Sequence, residues 1–142
     1  MNDRRMTNKR KVLIVLLIIT LLFIWGNSLL SKEYSGSESM RIVVFLERFF
    51  GEGNVSEHFI RKLAHFTEFA VLGAELFGLF RRYPISVTHG LFAAIIDESL
   101  QMFSDRSAEV KDVLLDFTGV LFGALVVLLI IRIYYRRSKE KD

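Results

Sequence analysis

Residues 12–30 read VLIVLLIITLLFIWGNSLL, nineteen consecutive positions without a charged side chain. As a helix this run is about 28 Å long, close to the roughly 30 Å of a bilayer's hydrocarbon core, and it has no polar face to turn toward water. Residues 113–131 form a second block of the same length with one charge, Asp116. Between them lie two less pure blocks, Leu63 to Phe80 and Tyr83 to Phe103, interrupted by His65, Glu68, Glu75, His89, Asp97 and Glu98. A soluble bundle would suit the middle pair alone but not the outer pair. The blocks together predict an all-α integral membrane bundle of four transmembrane helices, at about 12–30, 60–80, 83–103 and 112–132, within a single domain spanning 1–142. Ionisable groups at membrane depth are costly unless paired or hydrated, so each of those in the blocks is a candidate functional residue.

Loop charges orient the bundle. The tail 1–11 carries five bases against Asp3, and the tail from Arg132 carries five against Glu140 and Asp142. The short connection between the second and third blocks holds Arg81 and Arg82 with no acid, while 31–57 and 104–112 each hold more acids than bases. The excess of Lys and Arg predicts that both termini and the Arg81-Arg82 turn are cytoplasmic and that the other two connections are outside. The net charge of +3 resides in these flanks, so it reads as topology and not as a nucleic-acid-binding face. With no cysteine there is no disulfide, thiolate site or cysteine nucleophile. The first block is longer than a secretory h-region, and its only plausible cleavage region, Gly26-Asn27-Ser28, lacks an A-x-A-like pattern; it reads as an uncleaved anchor.

In the outer connection, Glu38, Arg41, Arg48 and Glu52 fall near one helical face, and Met40, Ile42, Val43, Phe45, Phe49 and Phe50 cover most of the rest. This predicts a short helix in the outer interface or packed on its own protein. Ser56 is placed to cap the next helix, and Pro84, the only proline, suits the first turn of the third.

The polar residues are patterned. Arg61, His65, Glu68 and Glu75 fall within about 80° of helical arc. Asp97 and Gln101 are an i, i+4 pair with Glu98 to one side, and Asp112, Asp116, Gly119 and Gly123 share one face of the last block, where the glycines permit close helix approach. Counted from the cytoplasmic ends, Arg61, His65, Glu68, Asp97, Gln101, Asp112 and Asp116 fall in one slab roughly 20 to 30 Å up, in the outer half of the membrane. Glu75 and His89 match in depth on the inner side and are expected to pair. The outer residues make either a network that locks helix register or a site. As a site, His65 with Glu68, Asp97 or Glu98 supplies acid-base candidates, because a carboxylate among others in a low-dielectric setting has its pKa raised toward the working range. His65, Glu68 and Asp97 are ligand types for a hard divalent ion, but no H-E-x-x-H-like spacing is present, and no metal or other cofactor is expected.

The ordered segments Arg61-Lys62-x-x-His65-Phe66-x-Glu68-Phe69-x-x-x-Gly73, Asp97-Glu98-x-x-Gln101-x-Phe103-x-x-Arg106 and Asp112-x-x-x-Asp116-x-x-Gly119-x-x-x-Gly123 resemble the VanZ-like family of small bacterial membrane proteins. The family more often carries an aromatic residue at the place of Glu68 and asparagine at that of Asp116. The resemblance implies four spans, the bacterial cytoplasmic membrane and a link to the cell envelope, through the namesake's association with resistance to the glycopeptide teicoplanin. With the outward cluster, the expected function is recognition of an anionic lipid or lipid-linked envelope precursor. Arg61, Lys62 and Arg106 would hold the headgroup, with Gln101, Asp112 and Asp116 beside them, since arginine's planar fork suits phosphate and carboxylate. The rival expectations are a nonenzymatic structural or drug-access factor and a small proton-coupled carrier using Glu75 and His89 as the inner half of its path.

Overall fold

The computed structural model describes residues 2–30, 40–45, 47–48, 56–104 and 109–139. Four long helices account for most of these: α1 (Asn2–Ser28), α2 (Glu57–Phe80), α3 (Tyr83–Gln101) and α4 (Val110–Lys139). A single 3-10 turn, Met102–Ser104, continues α3, and there is no strand among the described residues. Residues 40–45 and 47–48 are helical, in keeping with a short helix before α2; the rest of the expected 38–52 stretch lies outside the described residues.

Local sequence sets the ends. Ser56 is extended and its hydroxyl accepts from the Phe59 amide at 3.1 Å, satisfying one of the donors left open at the start of α2. Arg81 closes α2 in the left-handed conformation (φ 57°), with its amide donating to the Phe77 carbonyl at 2.9 Å. Pro84 stands in the first turn of α3, where its missing N–H leaves no bond unmade. α1 and α4 run beyond their apolar blocks into the basic tails, because Arg and Lys are good helix formers and nothing in those tails breaks the helix.

Contacts fix the directions. Thr20 on α1 meets Glu75 on α2, and Ser28 meets Asp97 on α3, so α1 is antiparallel to α2 and parallel to α3. Lys62 on α2 meets Asp112 on α4, while Tyr83 on α3 reaches Leu121 of α4. The bundle is therefore up-down-up-down. Its core is Ile24, Phe69, Leu72, Leu76, Ala93, Ala94 and Val120. The outward surface is apolar along most of its length, including Val12, Leu22, Phe23, Phe92, Phe122 and Ile130, which suits lipid and not water.

Three helices, not four, are long and apolar enough to cross a membrane: 8–28 of α1, then α2 and α4. By that measure three of the four expected spans are shown, and α3 falls short. That helix has the length, but Ser86, Asp97, Glu98 and Gln101 lower its apolarity, and all four are buried in the bundle while Phe92, Ile95 and Ile96 face outward. A composition average sees the inward polar edge and the outward apolar one together.

α2 and α4 pack most closely. A Cβ added to Gly123 would fall on the carbonyl oxygen of Ala70, and one added to Gly119 would fall on that of Phe66, so the two backbones touch where the glycines lie. Gly26 on α1, by contrast, has nothing within 4 Å of where its Cβ would be. Gly123→Leu is therefore expected to destabilise the bundle by about 2 kcal/mol or more. Gly26→Leu should stay within about 0.5 kcal/mol of the parent protein. Thermal unfolding of both variants in the same detergent checks the contrast.

Candidate functional site

The end of the bundle formed by the last turn of α1, the first turns of α2 and α4 and the last turn of α3 gathers most of the polar residues. Asp97 is its anchor. It is fully buried, and its carboxylate accepts from Ser28 Oγ at 2.6 Å through one oxygen and from Gln101 Nε2 at 3.0 Å through the other. The i, i+4 spacing on α3 puts Gln101 beside Asp97. Ser104, in the 3-10 turn, donates toward the Ser28 and Gln101 carbonyls at 2.8 and 3.0 Å, fastening the end of α1 to the end of α3.

His65 of α2 faces this anchor. Its Nδ1 is 3.9 Å from Asp97 Oδ2 and 3.9 Å from Asp116 Oδ1 of α4. One ligand-type atom from each of His65, Asp97 and Asp116 lies within 4.8 Å of the other two. Asp116 is 1% exposed, and its Oδ2 accepts no hydrogen bond from the described residues. Glu98 accepts from the Glu109 amide just before α4 through one oxygen, and its other oxygen is buried without a hydrogen bond from the described residues. Among the described residues neither Asp116 nor Glu98 has a lysine or arginine in ion-pair range. Glu68 is half-buried and its side chain bonds to Asn27 of α1.

The candidate cations lie differently from expectation. Arg61 is 3.6 Å from Glu57 and 3.4 Å from His58 Nδ1, on the outer turn of α2, and does not reach the buried carboxylates. Its helical stripe was legible, but its length and the acid one turn earlier carry it outward. Lys62 crosses to Asp112 at 2.7 Å, with both side chains about one-third exposed. Arg106 lies outside the described residues. At the opposite end of the bundle, Glu75 accepts from Thr20 at 3.0 Å, while exposed His89 stacks on Phe80 and bonds to the Ile85 carbonyl. The expected Glu75–His89 pair does not form.

Ser28, Asn27 and Thr20 were missed as contributors to the polar contacts. The available signal was their place: they are polar positions inside an otherwise apolar first block, and in lipid such side chains seek partners on neighbouring helices. The Gly26-Asn27-Ser28 step, weighed in the sequence only as a cleavage region and rejected as one, marks the meeting with Asp97 and Glu68.

Long apolar helices bundled around buried carboxylates define a helical membrane protein. The chain belongs to the VanZ/LLP1 family, whose model matches residues 12–132 and so includes every polar residue just described. No curated protein and no solved structure matches it.

Removing the Ser28 hydroxyl leaves one Asp97 oxygen without its short bond. Ser28→Ala should cost about 1–3 kcal/mol. Thr20→Val, at a half-buried contact, should cost less. Unfolding midpoints in detergent check the order.

Proposed function

We propose that this VanZ-family protein lies in the bacterial cytoplasmic membrane with the His65–Asp97–Asp116 end facing outward. There it receives an anionic lipid or lipid-linked envelope headgroup and contributes to tolerance of teicoplanin-type glycopeptides. In this reading α3 crosses together with the three apolar helices, its polar edge turned inward, and both termini are cytoplasmic. The up-down-up-down order supports it, because the basic starts and ends of α1 and α4 and the Arg81-Arg82 turn share the end opposite the polar centre.

The observation that carries the headgroup reading is the Lys62–Asp112 pair at the polar end of the bundle. Its side chains are one-third exposed, beside His65 at 18% and above the buried carboxylates. A pair so exposed is worth little by itself, so an incoming phosphate or carboxylate can take the ammonium from Asp112 at small cost. Arg61, on the outer turn of α2, stands on the same rim, and Arg106 is the further cation proposed for the headgroup. Asp97, with each oxygen accepting one hydrogen bond, is fixed in place; His65, Glu68 and Glu98 are the groups left for proton handling if a bond is broken.

A register lock is the second reading, favoured by the chain Ser28–Asp97–Gln101–Ser104 that ties α1 to α3. It accounts for Asp97 but gives no role to the open oxygen of Asp116. The carrier reading loses its inner half with the absence of a Glu75–His89 pair.

Lipid mass spectrometry on gently purified parent protein and on Lys62→Ala, His65→Ala and Arg106→Ala tests the proposal. The variants should retain several-fold less anionic lipid and should lower the teicoplanin concentration that stops growth of an expressing host. Folded variants with the parent's lipid complement and susceptibility would overturn it.

A further inference from the structure

We propose that His65, Asp97 and Asp116 bind one divalent cation, of the manganese or zinc kind, at the polar end of the bundle. The proposal stands on the centre's own geometry and holds whether or not a headgroup binds above it.

Three observations carry it. The first is convergence: an imidazole from α2 and carboxylates from α3 and α4 bring one atom each to within 4.8 Å of one another, although they are far apart in sequence. With two of the separations at 3.9 Å, a point equidistant from the three lies at most about 2.5 Å from each, within the range of calcium–oxygen bonds. Torsional shifts of a few tenths of an ångström bring it to the roughly 2.0–2.2 Å of smaller ions.

The second is the state of Asp116. It is 1% exposed, one of its oxygens faces His65, and the other accepts no hydrogen bond from the described residues. A buried carboxylate without hydrogen-bond satisfaction is costly, and a second carboxylate alongside raises that cost through repulsion. One histidine supplies at most a single positive charge, whereas a dication offsets both carboxylates at once.

The third is preorganisation. Asp97 is held by Ser28 at Oδ1 and by Gln101 at Oδ2, the oxygen that faces His65. Outer-shell hydrogen bonds of this kind orient metal ligands and sharpen affinity. One nitrogen and two carboxylate oxygens, completed by water entering past the partly exposed His65, suit Mn²⁺ or Zn²⁺ better than magnesium or calcium, which seldom take imidazole. Glu68 falls outside the triad: its partner is Asn27, and Asp116 takes the place that spacing alone had offered it.

The test uses the full chain in detergent, stripped with a chelator and then titrated with MnCl₂ while electron paramagnetic resonance follows the free-ion signal. The parent protein should take up a single equivalent, show nitrogen modulation from a coordinated imidazole, and release the manganese to added Zn²⁺. Asp116→Asn and His65→Gln should each weaken uptake by roughly tenfold or more, the latter also abolishing the nitrogen modulation. Glu75→Gln, whose carboxylate lies at the other end of the bundle, should bind as the parent does. His65→Gln changes a partly exposed group, so it serves as the decisive variant if Asp116→Asn does not fold. The proposal is overturned by substoichiometric uptake in the parent, by binding without imidazole modulation, or by unchanged binding in either folded triad variant.

Discussion

The seating of α4 directly on the backbone of α2 governs the rest of the bundle. Gly119 and Gly123 lie against Phe66 and Ala70 with no room for a side chain between them. Asp116 stands one turn from Gly119, and His65 stands next to Phe66. The distance between carboxylate and imidazole is thus set by a backbone contact, which is stiffer than any arrangement of long side chains. Val120, fully buried, presses at the same level on Gly73 of α2 and Gly90 of α3, so the third helix is gauged from the same seam.

On this frame the charges separate by depth. The cations meet their acids at the rim, Arg61 with Glu57 and Lys62 with Asp112, where water lowers both the gain and the cost. Below the rim, Asp97, Glu98 and Asp116 are buried; hydroxyl and amide groups bond Asp97 and a backbone N–H bonds Glu98, in place of lysines and arginines, while Asp116 faces His65 at 3.9 Å. An anionic ligand and an acidic floor are electrostatically opposed unless something positive lies between them. A cation bound on the floor would remove that opposition, so the proposed headgroup site and the proposed metal site support one another.

Features that depend on local chemistry were legible in the sequence. The charge-free block at 12–30, the Ser56 cap, the Arg81-Arg82 turn, Pro84 in the first turn of α3 and the Asp97–Gln101 pair all follow from neighbours within a turn or two. The shared face of Asp116, Gly119 and Gly123 was also readable, because helical periodicity alone sets it. Depth counting brought His65, Asp97 and Asp116 to one level. What it could not choose was partners, since these depend on how each helix is rotated about its axis. Glu75 accordingly met Thr20 and not His89, and Arg61 turned outward. The same dependence on rotation applies to α3: its polar residues lower any average of its apolarity, although the bundle hides them.

α1 is held to this frame quite differently. Only Ile24 and Ser28 among its described side chains are buried, and Gly26 meets nothing. Surrounded by lipid tails as apolar as Leu or Ile, such a helix gains little by exchanging acyl chains for protein. Its place is then decided by a few polar contacts: Thr20 to Glu75, Trp25 to the Ala93 carbonyl and Ser28 to Asp97. These contacts draw their strength from the dryness around them, so hydration of the bundle's end, and not the thickness or fluidity of the lipid, governs how firmly α1 is docked.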